Sequence, residues 1–73
     1  MKKLIGGLFD GKVVPNNSED NSWFTVYSRN DKEWTPGHGV FVWDFPDGIL
    51  SHGYRKKNDG QFHHVWTRNV GPN

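Results

Sequence analysis

An all-β fold, a small twisted antiparallel sheet or half-barrel of four to five strands with little or no helix, is what this sequence predicts, on three observations. Aromatic and β-branched residues cluster in short runs, such as Trp23-Phe24-Thr25-Val26-Tyr27 and Val40-Phe41-Val42-Trp43. Turn signals punctuate the chain at Asp10-Gly11, Pro46-Asp47-Gly48 and Asn58-Asp59-Gly60. No longer stretch carries apolar side chains at the 3.6-residue helical period.

Residues 2–6 and 12–15 read as a first pair of strands. Gly6 and Gly7 can take positive φ between them, and Asp10-Gly11 signals a two-residue turn. Residues 16–22 form a polar loop of turn-forming side chains. Residues 23–27 are the next strand. Residues 29–39 read as a long loop, because Pro36, Gly37 and Gly39 exclude a regular element there. Residues 39–45 give the strongest strand signal. The chain then turns at Pro46-Asp47-Gly48, where Pro presets φ and Gly accepts a positive one. Residues 49–56 and 61–68 complete a meander through Asn58-Asp59-Gly60. The last residues, from Val70, fray.

Alternation assigns the faces. Leu50, His52, Tyr54 and Lys56 share one side, and Ile49, Ser51, Gly53 and Arg55 the other. In the last strand Phe62, His64 and Trp66 fall together, as do Phe41, Trp43 and Phe45 in residues 39–45. Large apolar side chains on both faces imply that the second face is covered, by the N-terminal hairpin or by a partner.

The 73 residues make one domain with a frayed tail at about 69–73. The chain has no Cys, which removes disulfides, redox thiols and thiolate metal sites and favours a cytoplasmic setting. Lys2-Lys3 precede an apolar run that ends at Gly6, too short for a signal peptide. No segment approaches the roughly 20 apolar residues of a membrane span. Hydrophobic residues make up only 33%, yet 15% are aromatic, so aromatic rings must build the core and also supply any surface anchors. A net charge of +1 gives no support to bulk phosphate binding.

No catalytic, cofactor-binding or metal-ligating set emerges. His63 and His64 point to opposite faces, and the only metal combination within reach joins His52 and His64 to Asp44 or Asp47, at a spacing that matches no zinc signature. Most carboxylates fall at turns, where capping explains them. Gly6-Gly7 lacks the Lys-Ser/Thr and the helix of a phosphate loop. Binding is the remaining chemistry. Arg55-Lys56-Lys57, joined by Lys2, Lys3, Lys12 and Arg68, forms a basic cluster beside Tyr54. With Tyr54, Phe62 and Trp66 it gives one reading, a single-stranded RNA or DNA binder. Trp34 among Arg29, Asp31, Lys32 and Glu33 gives another, a protein-docking anchor with a polar rim.

The opening Leu4-Ile5-Gly6-Gly7-Leu8-Phe9-Asp10-Gly11-Lys12-Val13-Val14 resembles the start of small proteins encoded by bacteriophages and prophages. These open with a strand, Gly-Gly-x-x-Asp-Gly and a valine-rich strand. The resemblance covers about a fifth of the chain, and Leu8 stands where such proteins often have proline. It implies a host-directed role in a bacterial cytoplasm. The best-understood phage proteins of this size bind a large host enzyme, most commonly RNA polymerase. On that expectation Lys2, Lys3, Arg29, Trp34, Arg55, Lys56 and Lys57 are the partner-binding residues. The protein would be no enzyme and would inhibit or redirect transcription by occupying a protein surface. Nucleic acid would lie nearby, and another host enzyme such as a nuclease is the alternative target.

Overall fold

The computed structural model describes residues 1–35 and 45–71. Among these the chain is all-β. Its strands are β1 (Leu4–Ile5), β2 (Trp23–Arg29), β3 (Lys32–Trp34), β4 (Ile49–Lys56) and β5 (Phe62–Asn69), with one 3-10 turn at Asn16–Ser18. They form a single sheet in the order β1-β5-β4-β2-β3. The β2–β3, β2–β4 and β4–β5 pairs are antiparallel. The expected sheet of antiparallel strands is therefore mixed, because β1 runs parallel to β5 with Leu4 beside Phe62. No helix among the described residues is long and apolar enough to cross a membrane.

The parallel pair follows from how the N-terminus is used. Residues 2–4 bond on one side to residues 11–14, through Val14 N to Lys2 O at 2.9 Å and Leu4 N to Lys12 O at 2.8 Å. On the other side Phe62 N donates to Lys3 O at 3.1 Å. The N-terminal hairpin is thus present, although outside the named strands only one bridge, Lys3 to Val13, marks it. Its connection is no two-residue turn. It runs from Gly6 to Gly11, and the Asp10 carboxylate accepts from Gly6 N at 2.7 Å. This loop lies across the sheet. Gly7 has φ +68°, and a Cβ there would stand 2.9 Å from the Tyr54 hydroxyl and the His64 ring. Only glycine lets the backbone pass so close.

Beneath the loop lies the core: Leu4, Val14, Val26, Tyr54 and Phe62, with Phe9 and Phe24 packed against it. Tyr54 and Phe62 are 0% exposed. Each aromatic ring of this kind buries about 150–250 Å², a gross gain of about 4–6 kcal/mol at 25 cal/mol per Å². The expected covering of one face by the N-terminal hairpin is what the structure shows. Tyr54 and Phe62 are therefore core side chains, and neither can be the nucleic-acid stacking platform that the basic cluster suggested.

Two other expectations change. Residues 29–39 do not form one long loop. Asn30 and Asp31, with φ of 53° and 63°, make a two-residue turn that pairs Arg29 with Lys32 and Tyr27 with Trp34. Asn and Asp tolerate this left-handed region better than other side chains, and two such residues in a row fit the twist of a hairpin. In β5 the register shifts between Gly53 and Tyr54: Gly53 pairs with Trp66, while Tyr54 pairs with His64. Val65 is the extra residue of a β-bulge, so Trp66 faces away from Phe62 and His64 instead of sharing their side. Residues 39–44 of the expected strand, with Phe41 and Trp43, and the loop residues Pro36 to His38 lie outside the described residues. Phe45, its last residue, is described and lies outside the named strands.

Candidate binding face

The face opposite the core is built from alternate strand positions. Reading the register across the sheet, it carries Trp23, Thr25, Tyr27 and Arg29 on β2, Lys32 and Trp34 on β3, Ile49, Ser51, Gly53 and Arg55 on β4, and His63, Trp66 and Arg68 on β5. Two arginines lie over indoles. The Arg55 guanidinium is 5.9 Å from the Trp23 ring and that of Arg68 is 4.6 Å from the Trp66 ring. Such pairs hold long cationic side chains at a surface. Trp66 also covers Gly53, where an added Cβ would fall 2.1 Å from its ring. A cross-strand aromatic thereby shields the backbone that glycine leaves bare.

At the other end of this face Tyr27, Trp34 and Phe45 form a ring cluster. Centroids lie 4.8 Å apart for Tyr27–Phe45, 5.5 Å for Trp34–Phe45 and 6.4 Å for Tyr27–Trp34. Trp34 is half-buried, and Arg29 and Lys32 beside it are exposed. A shallow hollow of about 220 Å³ adjoins the cluster, lined by β2 residues, Glu33, Trp34 and Thr35. Trp34 is thus an ordered strand residue, held by ring contacts, and not the tip of a flexible loop.

The seven expected partner residues fall into two groups. Arg29 and Trp34 lie at the β2–β3 hairpin end. Arg55, Lys56 and Lys57 lie at the β4–β5 hairpin end, where they and Asn58 line a hollow of about 270 Å³. Lys2 and Lys3 join that second group: Lys3 N donates to the Gln61 side chain at 2.6 Å, and the Lys2 ammonium stands beside Gly60. Lys56 departs from its neighbours. Its ammonium lies over the Phe62 ring at 5.7 Å, on the side of the core. Lys12 leaves the cluster entirely and pairs with Glu33 at 2.7 Å. Trp23 is not legible as a surface residue, because that needs the β2–β4 register. Trp66 and Arg68 belong to the expected nucleic-acid surface, but alternation puts Trp66 on the side of Phe62, and the bulge moves it to the opposite face.

The three described histidines have structural partners. His52, 3% exposed, bonds through Nε2 to Ser28 Oγ at 2.7 Å and through Nδ1 to Thr67 Oγ1 at 3.1 Å. Thr67 Oγ1 also meets His64 Nε2 at 2.8 Å. Burial, followed by the nearby His64, pushes the His52 pKa below its ordinary value. His63 bonds to Asp59 at 2.8 Å. Among the described residues no three His, Asp or Glu side chains are placed to hold a metal. The Ser28–His52 contact is sealed in the interior and offers no access to a substrate. No family model, characterised protein or solved structure matches this chain.

Proposed function

We propose that this protein is a non-catalytic, phage-type regulator that binds the host bacterial RNA polymerase. It inhibits or redirects transcription by occupying a protein surface, in the bacterial cytoplasm. The observation that carries the reading is the Tyr27–Trp34–Phe45 cluster with Arg29 and Lys32 at its rim. Trp, Tyr and Arg supply most of the binding energy at well-packed interfaces, inside a polar rim. Rings already held by one another lose little side-chain freedom on docking. The choice of polymerase rests on the opening signature.

The test is affinity capture from bacterial lysate with tagged protein, after nuclease treatment. Polymerase subunits are expected to be enriched. Trp34→Ala should reduce their recovery, and so should Arg29→Glu, which alters the exposed rim without touching the ring packing. Failure to enrich polymerase, or enrichment that nuclease abolishes, rejects the reading.

A further inference from the structure

The half of the open face nearest the β4–β5 hairpin holds a different arrangement. Trp23 sits opposite Arg55, and two residues further along Trp66 lies over Gly53, with Arg68 stacked on it. Trp23 is 45% exposed, a large apolar ring left in water. From strand spacing and rise, the two tryptophans are about 12 Å apart at Cα, two strands and one two-residue step. Thr25 is exposed, next to Trp23 on the same face of β2 and in the row of Gly53 and Trp66.

The charge on this face is one-sided. Among the described residues its strand positions include Arg29, Lys32, Arg55 and Arg68 and no Asp or Glu, and the Asp59 carboxylate at its hairpin edge is taken up by His63. Four of the nine Lys and Arg residues of the chain stand on this face. Among the described strand residues the one carboxylate, Glu33, belongs to the opposite face and is held by Lys12. Lys3 and Lys57 extend the basic region at the hairpin end, next to the hollow lined by Arg55 to Asn58. An exposed indole, Trp23, and a half-buried one, Trp66, interleaved with cations on a sheet whose back is packed, match what single-stranded nucleic acid requires. Unpaired bases stack on the rings and phosphates meet the cations.

We propose that this half of the face binds single-stranded RNA. Trp23 and Trp66 each stack a base. An entering base displaces the guanidinium from its indole, and Arg55 and Arg68 turn outward to the phosphates. The Thr25 hydroxyl, beside Trp23 on β2 and in the same row as Trp66, is the partner for a ribose 2′-hydroxyl, the group that distinguishes RNA from DNA. The proposal does not depend on the polymerase reading, which uses the other end of the face.

The experiment is fluorescence anisotropy with purified full-length protein and a labelled 12-nucleotide oligouridine, against the matching DNA and an RNA duplex of equal length. Saturable binding to the single-stranded RNA is expected, with the other two bound more weakly. Release of two phosphate counterions predicts about a seven-fold loss of affinity between 50 and 200 mM salt. Trp23→Ala and Trp66→Ala should each weaken binding about ten-fold, and Arg55→Ala with Arg68→Ala should flatten the salt dependence. Trp23 is half-exposed, so its removal spares the core, and a circular dichroism melt checks both variants. Absence of saturable binding at 50 mM salt overturns the proposal. So does binding that both Trp variants leave unchanged, or equal affinity for DNA or duplex. No polymerase is in the cuvette, so a negative result here leaves that reading untouched, and a failed capture leaves this one.

Discussion

The Tyr54 hydroxyl donates to Gly6 O at 2.9 Å and accepts from Phe9 N at 3.4 Å, while its ring is sealed in the core. One side chain thus both fills the interior and ties the N-terminal loop to the sheet. Tyr54→Phe keeps the ring and leaves two backbone groups without that partner. It should cost about 1–3 kcal/mol, read as a lower urea midpoint at unchanged m-value. His52 is the other residue on which stability turns. Its folded pKa is lowered by burial and then by His64, so the unfolded chain takes up the proton first. Its contribution is fully present above the unfolded pKa of about 6.5 and is lost as pH falls from there through the folded value. Melting temperature should therefore drop on acidification below neutrality, and an NMR titration should place the His52 midpoint below that of the exposed reference. A midpoint at or above 6.5 contradicts the buried network. Neither role could be read from the sequence, where His52 looked like a half-exposed cross-strand histidine, because burial depends on what the N-terminal loop covers.

At the scale of the elements, β4 was readable and β5 only in its first half. Alternation placed Tyr54 and His52 on one side of β4 and Arg55 and Gly53 on the other, as the register shows. A bulge has no signature at Val65, so the phase of Trp66 was lost there. The β2–β3 hairpin did have a signal, the Asn30-Asp31 pair, which the glycines and proline that follow it obscured. The bulge and Gly53 act together: the first turns Trp66 to the open face and the second gives its ring a place to lie. Gly53→Ala should therefore push Trp66 off the sheet. The expected result is a red-shifted tryptophan emission and weaker RNA binding with the fold retained, since the ring can rotate outward. Unchanged emission would mean that the indole does not rest on the glycine.

For the molecule as a whole, the residue pattern predicts a small β-domain, and alternation predicts a second face covered by the N-terminal hairpin or by a partner, of which the structure shows the hairpin. The parallel β1–β5 pair was not foreseeable, since it is set by a contact between residues 58 positions apart along the chain. The same closure carries Lys12 to Glu33, at the opposite edge of the sheet. That ion pair is solvent-accessible, and exposed pairs contribute about 0–1 kcal/mol, so Lys12→Ala should move the urea midpoint little. Hydrogen exchange should be slowest in β4, which is paired on both sides, and fastest at β3. The partition of rings between the two faces also decides what an optical experiment sees. Trp23, Trp34 and Trp66 all stand on the open side, whereas the core is made of Tyr and Phe. With Trp43, outside the described residues, replaced by Phe, tryptophan fluorescence reports on this face of the sheet. Indole emission and iodide quenching would then follow ligand arrival at this face, and the far-ultraviolet signal of the strands would follow unfolding independently of it.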